Sequence, residues 1–512
     1  MPTSDVGKVR IERWETALRP ISWLLIAAPL LLVMPPTGLL SGNEEAYLQA
    51  AIRWYRPDAL PRNTALLDGL PHIALFASLL GPLIQSVGYE AAQVIARIIA
   101  VVAFSIALDR LGRTLKLHSV ETAVLVLVYV AVGQWLLGSE AIFLGIEPKV
   151  PAYVLLIFAA TAALTRKVAV TFALLIAATY THPLVGGMWA VILVVFLLSE
   201  KEARQRTIKF GALSMVLVAP LGLKLLSVAF GAFAESAAVG EPSIAWIYNY
   251  GPTAIHATPF ATRWSTLQTL IGLAQHLVIG FAAAWVLRHP MERELNAVAT
   301  IIAIGTVWLL VALALLALYP DGEVGRFVPL RPSAMVLLLF LFGAASWLAQ
   351  SSLSIKGPAV GRVVLVLAGL FAATSAPRLL AASALLPEYV ARERRGEVSA
   401  VIDFARTQTD QDSVFMFLDS IERDFLDFER RSQRAHFVVW KFPPATAESL
   451  REWYSRLQSR QQVEKSRCTT SLPSTPRIDF VVVPASESPA FASSCGEPLL
   501  VNARYAVFKV PQ

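Results

Sequence analysis

The chain has 512 residues, of which 55% are hydrophobic and 16% are charged, and its formal net charge is +7. Soluble domains carry about 25% charged residues, so this composition excludes an ordinary soluble protein. Apolar runs of about 20 residues recur along the chain, which is typical of helices that cross a bilayer. Lys and Arg cluster between these runs and form no stripe with aromatic residues. The positive charge therefore indicates membrane topology, and we expect no nucleic-acid partner.

The N-terminal segment predicts the orientation of the chain. Residues 1–20 carry four basic side chains against three acidic ones, which places the N-terminus in the cytoplasm by the positive-inside rule. Residues 21–40 are long enough to span, so we expect an uncleaved signal anchor and no cleaved signal peptide. The transmembrane domain is expected over residues 21–387, with residues 41–90 as a loop on the outer face of the membrane.

The first predicted outer loop contains an acidic helix and a broken apolar stretch. Glu44 and Glu45 open a helix that we predict to run to Tyr55, with Asn43 as its N-cap. Residues 64–88 are apolar but are interrupted by proline and glycine, and a very short turn separates them from the next apolar run. We therefore expect this stretch to lie at the outer interface, or to be re-entrant, rather than to span the membrane.

The remaining apolar runs predict a total of about eleven spans. After the first span they cover residues 91–111, 119–137, 148–165, 168–182, 184–199, 207–230, 268–288, 297–318, 329–350 and 359–380. With this count the basic loops alternate onto the cytoplasmic side, and the C-terminal tail lies in the periplasm. The short runs on either side of Pro183 are kept as two helices, because merging them would reverse the charge bias of every later loop.

Residues 388–512 predict a small soluble α/β domain. The pattern predicts strands over residues 413–418, 437–440, 480–483 and 505–510 and helices over residues 398–407 and 447–457. Both cysteines of the chain, Cys468 and Cys495, lie in this tail. In an oxidising periplasm they are expected to form a disulfide, and two free thiols are the alternative.

Glu44 and Glu45 are the first candidates for chemistry. A carboxylate at the end of the first span can deprotonate an acceptor hydroxyl or bind a divalent metal ion. The alternative is a solvated helix start, in which both charges are stabilised by the helix dipole.

Five further residues at span boundaries are candidates for a substrate site. Glu147 and Lys149 begin one span, and the alternative for them is a capped helix start. His182 lies between two apolar runs, where the alternative is a neutral ring bonded across a tight turn. Arg326 precedes a span and Arg331 lies in the first turn of that span. Both can grip a phosphate, unless they extend to lipid headgroups instead.

Two other segments could contribute to recognition. The long loop 231–267 is aromatic and predicts either a cover over a site or an anchor at the interface. The basic segment 428–441 of the tail predicts contact with an anionic substrate, and a solvated helix leading into a strand is the alternative.

The acidic motif after the first span, the interfacial helices, the span count and the outer soluble domain together resemble the GT-C superfamily. This resemblance covers most of residues 1–385. Family members carry an Asp or an Asp-Glu pair in the first outer loop, where this chain has Glu44 and Glu45. The segments 147–149, 181–186, 430–441 and 452–454 are similar to a group of bacterial membrane proteins without an assigned activity.

The resemblance implies a polytopic glycosyltransferase that uses a sugar linked to polyprenyl phosphate. Glu44 or Glu45 would then act as the general base, with a divalent metal as an open alternative. Arg326 and Arg331 would hold the donor phosphate, while His182 and Lys149 line the cavity. Two rivals remain open: a transporter or lipid-binding protein whose pathway these charges line, and a non-catalytic scaffold whose tail recruits a partner.

Overall fold

The computed structural model describes most of the chain. The described residues are 21–36, 42–57, 73–132, 134, 137–138, 140–143, 145–234, 242–250, 258–288, 291–320, 323–351, 387–444, 446–467 and 478–511. The predicted span 359–380 and Cys468 lie outside them, and for residues 387–395 only the backbone is described.

The first two thirds of the chain consist of helices. In chain order they are α1 Trp23–Val33, α2 Gly42–Tyr55, α3 Ala74–Val87, α4 Tyr89–Thr114, α5 Ser119–Val132, α6 Lys149–Leu164, α7 Val168–Thr181, α8 Pro183–Ser199, α9 Lys201–Ala234, α10 Ile244–Tyr250, α11 Arg263–Leu287, α12 Arg293–Leu318 and α13 Ser333–Ser351. A 3₁₀ turn at Glu323–Phe327 precedes α13. One continuous apolar core runs through this bundle.

Among the described residues, five helices are long and apolar enough to cross a membrane, namely α4, α9, α11, α12 and α13. Their most apolar windows have mean hydropathies between 1.6 and 2.8. In α9 only 6% of that window is buried, and Met215 is 78% exposed. Apolar helices with exposed apolar sides are stable in lipid, so the prediction of a helical multi-pass membrane protein is confirmed. The count of eleven spans is not confirmed.

Two local expectations for the bundle can be compared with the structure. The runs around Pro183 form two helices, α7 and α8, because His182 leaves the helical conformation and Pro183 occupies the first position of α8. The stretch 64–88 contains α3, whose 14 residues are too short to cross a bilayer core of about 30 Å. Its placement at the interface stays a prediction.

Helix α3 packs closely against α2. A Cβ added at Gly81 would lie 2.6 Å from Tyr55 Cβ and 2.7 Å from the carbonyl oxygen of Ala51, so only glycine permits this approach. At Gly88 the backbone takes a φ of +81°, which L side chains rarely adopt, and the chain turns there directly into α4. Helix α2 is therefore held against the bundle through α3.

The tail is a mixed five-stranded sheet with helices. Its elements are α14 Pro387–Gln408, β1 Val414–Phe417, a 3₁₀ turn Glu422–Phe425, α15 Phe428–Ser432, β2 Ala435–His436, α16 Ala447–Ser466, β3 Phe480–Pro484, a 3₁₀ turn Ala485–Glu487, α17 Ser488–Cys495, β4 Leu500–Val501 and β5 Tyr505–Lys509. The strand order is β2-β1-β3-β5-β4, with β1 parallel to β2 and β3 and with β5 antiparallel to β3 and β4. The predicted C-terminal α/β domain is confirmed.

Some details of the tail differ from the prediction. The strand predicted over residues 437–440 is wrong, since the strand is Ala435–His436. One further backbone hydrogen bond follows, from Phe437 N to Phe415 O. Beyond it the backbone bonds to side chains and not to a neighbouring strand. Glu422 accepts from Trp440 N, and the Trp453 indole donates to Val439 O. Helix α16 extends beyond the predicted residue 457 to Ser466, and α17 and β4 were not predicted.

The apolar core of the tail includes two residues of the bundle. Ile244 and Ile247 of α10 are 3% and 2% exposed and belong to the same cluster as β1, β3 and α16. Trp246 packs edge-on to Tyr454 of α16. The loop helix α10 therefore docks directly onto the tail domain.

Candidate functional site

Helix α2 presents three different faces to its surroundings. Asn43 and Tyr47 are one turn apart and lie on one face, while Glu44 and Glu45 point to two other sides. Both carboxylates are buried, at 0% and 3% exposure, so the alternative of a solvated helix start does not hold. Asn43 is not the N-cap either, since the helix begins at Gly42 and the Asn43 amide donates to Glu147 Oε1 over 2.9 Å.

Glu44 is engaged by donors on both oxygens. Arg97 of α4 donates from Nε to Oε1 over 2.9 Å and from Nη2 to Oε2 over 2.6 Å. The backbone N–H of Ile146 also donates to Oε1, over 2.6 Å. A Cβ at Gly145 would lie 2.4 Å from Glu44 Cδ, so glycine leaves room for this carboxylate. The Glu44–Arg97 pair ties α2 to α4 and to the loop before α6.

Glu45 faces the tail domain. Arg430 of α15 donates from Nη2 to Oε1 over 2.6 Å and from Nε to Oε2 over 3.0 Å, while Gln49 donates to Oε2 over 3.2 Å. Arg430 also pairs with Glu90 over 2.7 Å and lies 5.3 Å from the centroid of the Tyr89 ring. Burial raises the pKa of Glu45, which the hydrogen bond and charge of Arg430 oppose.

A buried ionic cluster lies beside the third face of α2. We use this name for Glu140, Glu147, Lys149, His182 and Arg331. The Lys149 ammonium is 3.3 Å from Glu140 Oε1 and 3.3 Å from Glu147 Oε2. Arg331 Nε is 3.5 Å from Glu140 Oε2, and its Nη1 is 3.0 Å from His182 Nε2. Four charges of balanced sign thus meet where the α6 and α8 N-termini approach the turn before α13.

The guanidinium of Arg331 is incompletely satisfied. Its side chain is 16% exposed, and its buried Nε has no hydrogen-bond partner within the described part of the chain. A buried donor without an acceptor costs about 1–3 kcal/mol, and more for a charged group. Arg331 Nη1 and the Val185 N–H both approach the His182 ring as donors, with Val185 N 3.3 Å from Nδ1. A neutral imidazole accepts a hydrogen bond at only one of its two nitrogens, so the two donors compete. Arg331 therefore has hydrogen-bonding capacity for a further acceptor.

Two tyrosines border the ionic cluster. Burial raises the pKa of Tyr47 to about 12; Glu147 raises it further, and the charges of Arg331 and Lys149 oppose the shift. Burial also raises the pKa of Tyr248 of α10, against the opposing charges of Arg331 and Arg326. Arg326, half-buried in the 3₁₀ turn, is therefore within electrostatic range of Tyr248, as is Arg331.

The tail adds positive charge to the same region. Loss of hydration lowers the pKa of Lys441 most, Lys149 and Arg423 lower it further, and Glu147 raises it. The Lys441 side chain keeps an exposed surface, as does that of Arg423. The cluster therefore has a cationic rim supplied by the tail.

Four of the predicted site residues meet in one place. Glu147, Lys149, His182 and Arg331 belong to the ionic cluster, and Arg326 lies near it. Glu44 adjoins the cluster through Ile146, whose N–H it accepts, whereas Glu45 faces away toward Arg430.

The sequence reasoning missed three residues that shape the site. Glu140 joins Lys149 and Arg331, and Arg97 pairs with Glu44. Both are ionisable side chains in or beside apolar runs, which is the signal that could have found them. Gln134 holds the loop before α6 through bonds from Ile142 N, from Phe143 N and to Phe143 O, and no pattern in the sequence marks it.

The remaining predicted pair is the disulfide. Cys495 is disulfide-bonded and lies at the end of α17. Because Cys468 lies outside the described residues, the pairing of Cys468 with Cys495 stays a prediction.

The carboxylates near the site do not form a set suited to a divalent metal. Among the described residues no three His, Cys, Asp or Glu side chains group as metal ligands. Glu44 and Glu45 each face an arginine, and Glu140 and Glu147 share Lys149. A cation would have to displace these positive side chains.

A family model described as a domain of unknown function (DUF6798) matches residues 396–459, which lie in the tail. A search of curated proteins finds no match.

Two solved structures of ArnT from Cupriavidus metallidurans are similar to the chain. The structure in the apo state is 12% identical, with 99% of this chain and 98% of that chain covered and a TM-score of 0.37. The structure bound to undecaprenyl phosphate is also 12% identical, with 97% and 98% covered and a TM-score of 0.41.

Proposed function

We propose that the protein transfers a sugar from a polyprenyl-phosphate donor to an acceptor on the periplasmic side of the inner membrane. The observation that carries the proposal is the Arg331 guanidinium, which is largely buried beside a second buried cation, Lys149. Its Nε lies 3.5 Å from Glu140 Oε2 but has no hydrogen-bond partner among the described residues. A phosphate offers several acceptor oxygens and a negative charge, and arginine binds it in a bidentate manner.

The donor phosphate would take the place of internal partners. Lys149 would turn from Glu147 and Glu140 to one phosphate oxygen, and Arg331 would use Nε and release Nη1 from His182. His182 would then keep its contact with Val185 N. Lys441 is within electrostatic range of Glu147 and Lys149, and Arg326 is within range of Tyr248. Both would add positive charge toward the headgroup.

The reaction would exchange one bond at the anomeric carbon for another. The acceptor hydroxyl oxygen forms a bond to that carbon, and the bond from the carbon to the phosphate oxygen breaks. Both electrons of the broken bond go to the phosphate, and Lys149 and Arg331 stabilise the charge that develops there. The hydroxyl proton goes to a carboxylate acting as general base.

We assign the base role to Glu147. Glu44 accepts three hydrogen bonds in the interior, and Glu45 faces away from the cluster, so both are proposed as positioning residues. Glu147 loses its ammonium partner when Lys149 turns to the phosphate, which leaves Oε2 free to accept a proton.

Proteoliposomes with a labelled sugar on undecaprenyl phosphate test the proposal. We expect labelled acceptor and free undecaprenyl phosphate from the wild type, and turnover at least about 100-fold lower for Arg331→Gln, Lys149→Gln and Glu147→Gln. Lys116→Gln, which removes an exposed cation paired with Glu292, serves as the control for Lys149→Gln. Movement of the label across the bilayer without a covalent product would overturn the proposal in favour of transport.

A further inference from the structure

A second site lies between the loop helix and the tail, separate from the ionic cluster. A cavity of about 310 Å³ opens where α10 contacts α16, at the lower end of the range of about 300–1,000 Å³ typical of ligand clefts. Four aromatic side chains line it: Trp246, Trp440, Trp453 and Tyr454. We call it the aromatic cleft.

Contacts within the protein orient three of the four aromatic rings of the cleft, those of Trp246, Tyr454 and Trp453. Trp246 and Tyr454 pack edge-on, with centroids 6.1 Å apart and planes at 82°, and Trp246 remains 36% exposed. The Trp453 indole donates to Val439 O over 2.8 Å, and the Trp440 backbone N–H donates to Glu422 over 2.7 Å. The cleft therefore offers ring faces whose orientation costs little entropy to fix on binding.

Polar side chains complete one wall. Gln458 and Gln461 are three positions apart on α16, so both amides lie on one face of the helix. Both are exposed, and neither has a hydrogen-bond partner in the described ranges of the chain. Each amide supplies donors and an acceptor, and the 71% exposed carboxylate of Asp419 supplies further acceptors.

The charge of this wall excludes an anionic ligand. Asp419, Glu422 and Glu464 lie around a single guanidinium, that of Arg460, which pairs with Asp419 over 2.7 Å and also with Glu422. Glu464 accepts from the Asp419 backbone N–H over 2.7 Å. Of the charged side chains that line the wall, Asp419 and Glu464 are acidic and Arg460 is basic, and the buried Glu422 also neutralises Arg460. The wall is therefore negative, so a phosphate or carboxylate ligand would be repelled.

We propose that the aromatic cleft binds a neutral saccharide. Sugar rings present C–H faces that pack on indole and phenol rings, together with hydroxyl groups that both donate and accept hydrogen bonds. The cleft matches both properties, whereas a hydrocarbon chain would leave the amides and Asp419 without partners. If the cleft also holds the sugar acceptor of the transfer reaction, that role rests on the proposed function. The binding of a saccharide does not.

Saturation-transfer difference NMR on the full chain in nanodiscs tests the binding. The probes are maltotriose and cellotriose as neutral oligosaccharides and sialyllactose as an anionic one. We expect signal from the neutral probes that falls at least about fivefold in Trp246→Ala and in the Gln458→Ala/Gln461→Ala double variant. Trp54→Ala removes a similarly exposed tryptophan, 41% exposed on α2, and should leave the signal unchanged.

The outcomes separate this inference from the proposed function. No signal from either neutral probe, an equal signal in Trp246→Ala and Trp54→Ala, or equal binding of sialyllactose would overturn the saccharide site. The double variant changes only exposed side chains, so its result does not depend on folding. If neutral probes bind but no sugar is transferred from undecaprenyl phosphate, the proposed function fails while the saccharide site stands.

Discussion

Arg430 of the tail clamps Glu45 of α2 with two nitrogens, Nη2 at 2.6 Å from Oε1 and Nε at 3.0 Å from Oε2. The two side chains are 11% and 4% exposed, so the pair is largely withdrawn from water. They are 385 residues apart in the chain. This contact, with the docking of α10, joins the tail to the membrane bundle beside the ionic cluster.

Loss of this clamp should loosen the tail. Removing one partner of a buried pair costs about 3–5 kcal/mol, because the other charge stays buried. We expect Arg430→Ala to speed hydrogen–deuterium exchange in α2 and α15 by tenfold or more, and Arg430→Lys to restore little, since lysine cannot make the fork. Arg406→Ala, at a 56% exposed arginine, is the control. Unchanged exchange in Arg430→Ala would show that the tail docks without the pair.

Glu44→Gln should destabilise the bundle. The change leaves Arg97 buried without its carboxylate, at a cost of about 3–5 kcal/mol. Arg97→Met combined with Glu44→Gln removes the stranded charge and should recover part of that loss. Chemical unfolding of the single and double variants measures both effects. If the loss of the double variant equals the sum of the losses of the two single variants, the result would contradict a direct pair.

Gly145→Ala should displace the Glu44 carboxylate. The new Cβ would lie 2.4 Å from Glu44 Cδ, so either the loop or the carboxylate must move. We expect a loss of about 1–3 kcal/mol in unfolding free energy, as for overpacked sites. Gly187→Ala, where a Cβ meets nothing within 4 Å, is the matched control. Equal stability of the two variants would contradict the close approach.

The stability of the tail should decline between about pH 6.5 and 8. Burial raises the pKa of the Glu429 carboxyl to about 8, so in this window it holds a proton in the folded state and loses it on unfolding. Stability then falls as pH rises, by up to about 1.4 kcal/mol per pH unit. Below pH 6.5 His436 has the opposite effect, because burial lowers its pKa to about 3. The unfolded chain then binds a proton that the folded tail does not, so this group makes stability fall as the pH falls.

Glu429→Gln isolates this effect. The amide oxygen can still accept from His436 N, so the variant should melt at nearly the same temperature across pH 6.5 to 8, followed by tryptophan fluorescence. Glu448→Gln changes an exposed carboxylate and should keep the decline. A decline of equal size in Glu429→Gln would assign the proton to another group.

Much of the ionic cluster could be predicted from local sequence. Glu147, Lys149 and Arg331 are charged side chains at the boundaries of apolar runs, where burial against partners is the low-energy solution. Which residues pair could not be predicted, because partners such as Arg331 and His182 are 149 residues apart. Pairing depends on helix packing, which a single sequence does not specify.

In the tail, too, some elements could be predicted from local sequence and others depend on tertiary contacts. Strands β1 and β3 are runs of buried apolar residues and were predicted within a residue or two. The run at residues 437–440 is equally apolar, yet its backbone bonds to the side chains of Glu422 and Trp453. Periodicity cannot distinguish a strand from an apolar segment whose polar groups are satisfied by side chains.

Binding of undecaprenyl phosphate to the purified protein, measured by native mass spectrometry, tests the central claim most directly. We expect the wild type and Lys116→Gln to bind it, and Arg331→Gln and Lys149→Gln to bind it at least about tenfold more weakly, because each loses a charged hydrogen bond to the phosphate. Equal affinity in all four proteins would contradict a phosphate site at Lys149 and Arg331.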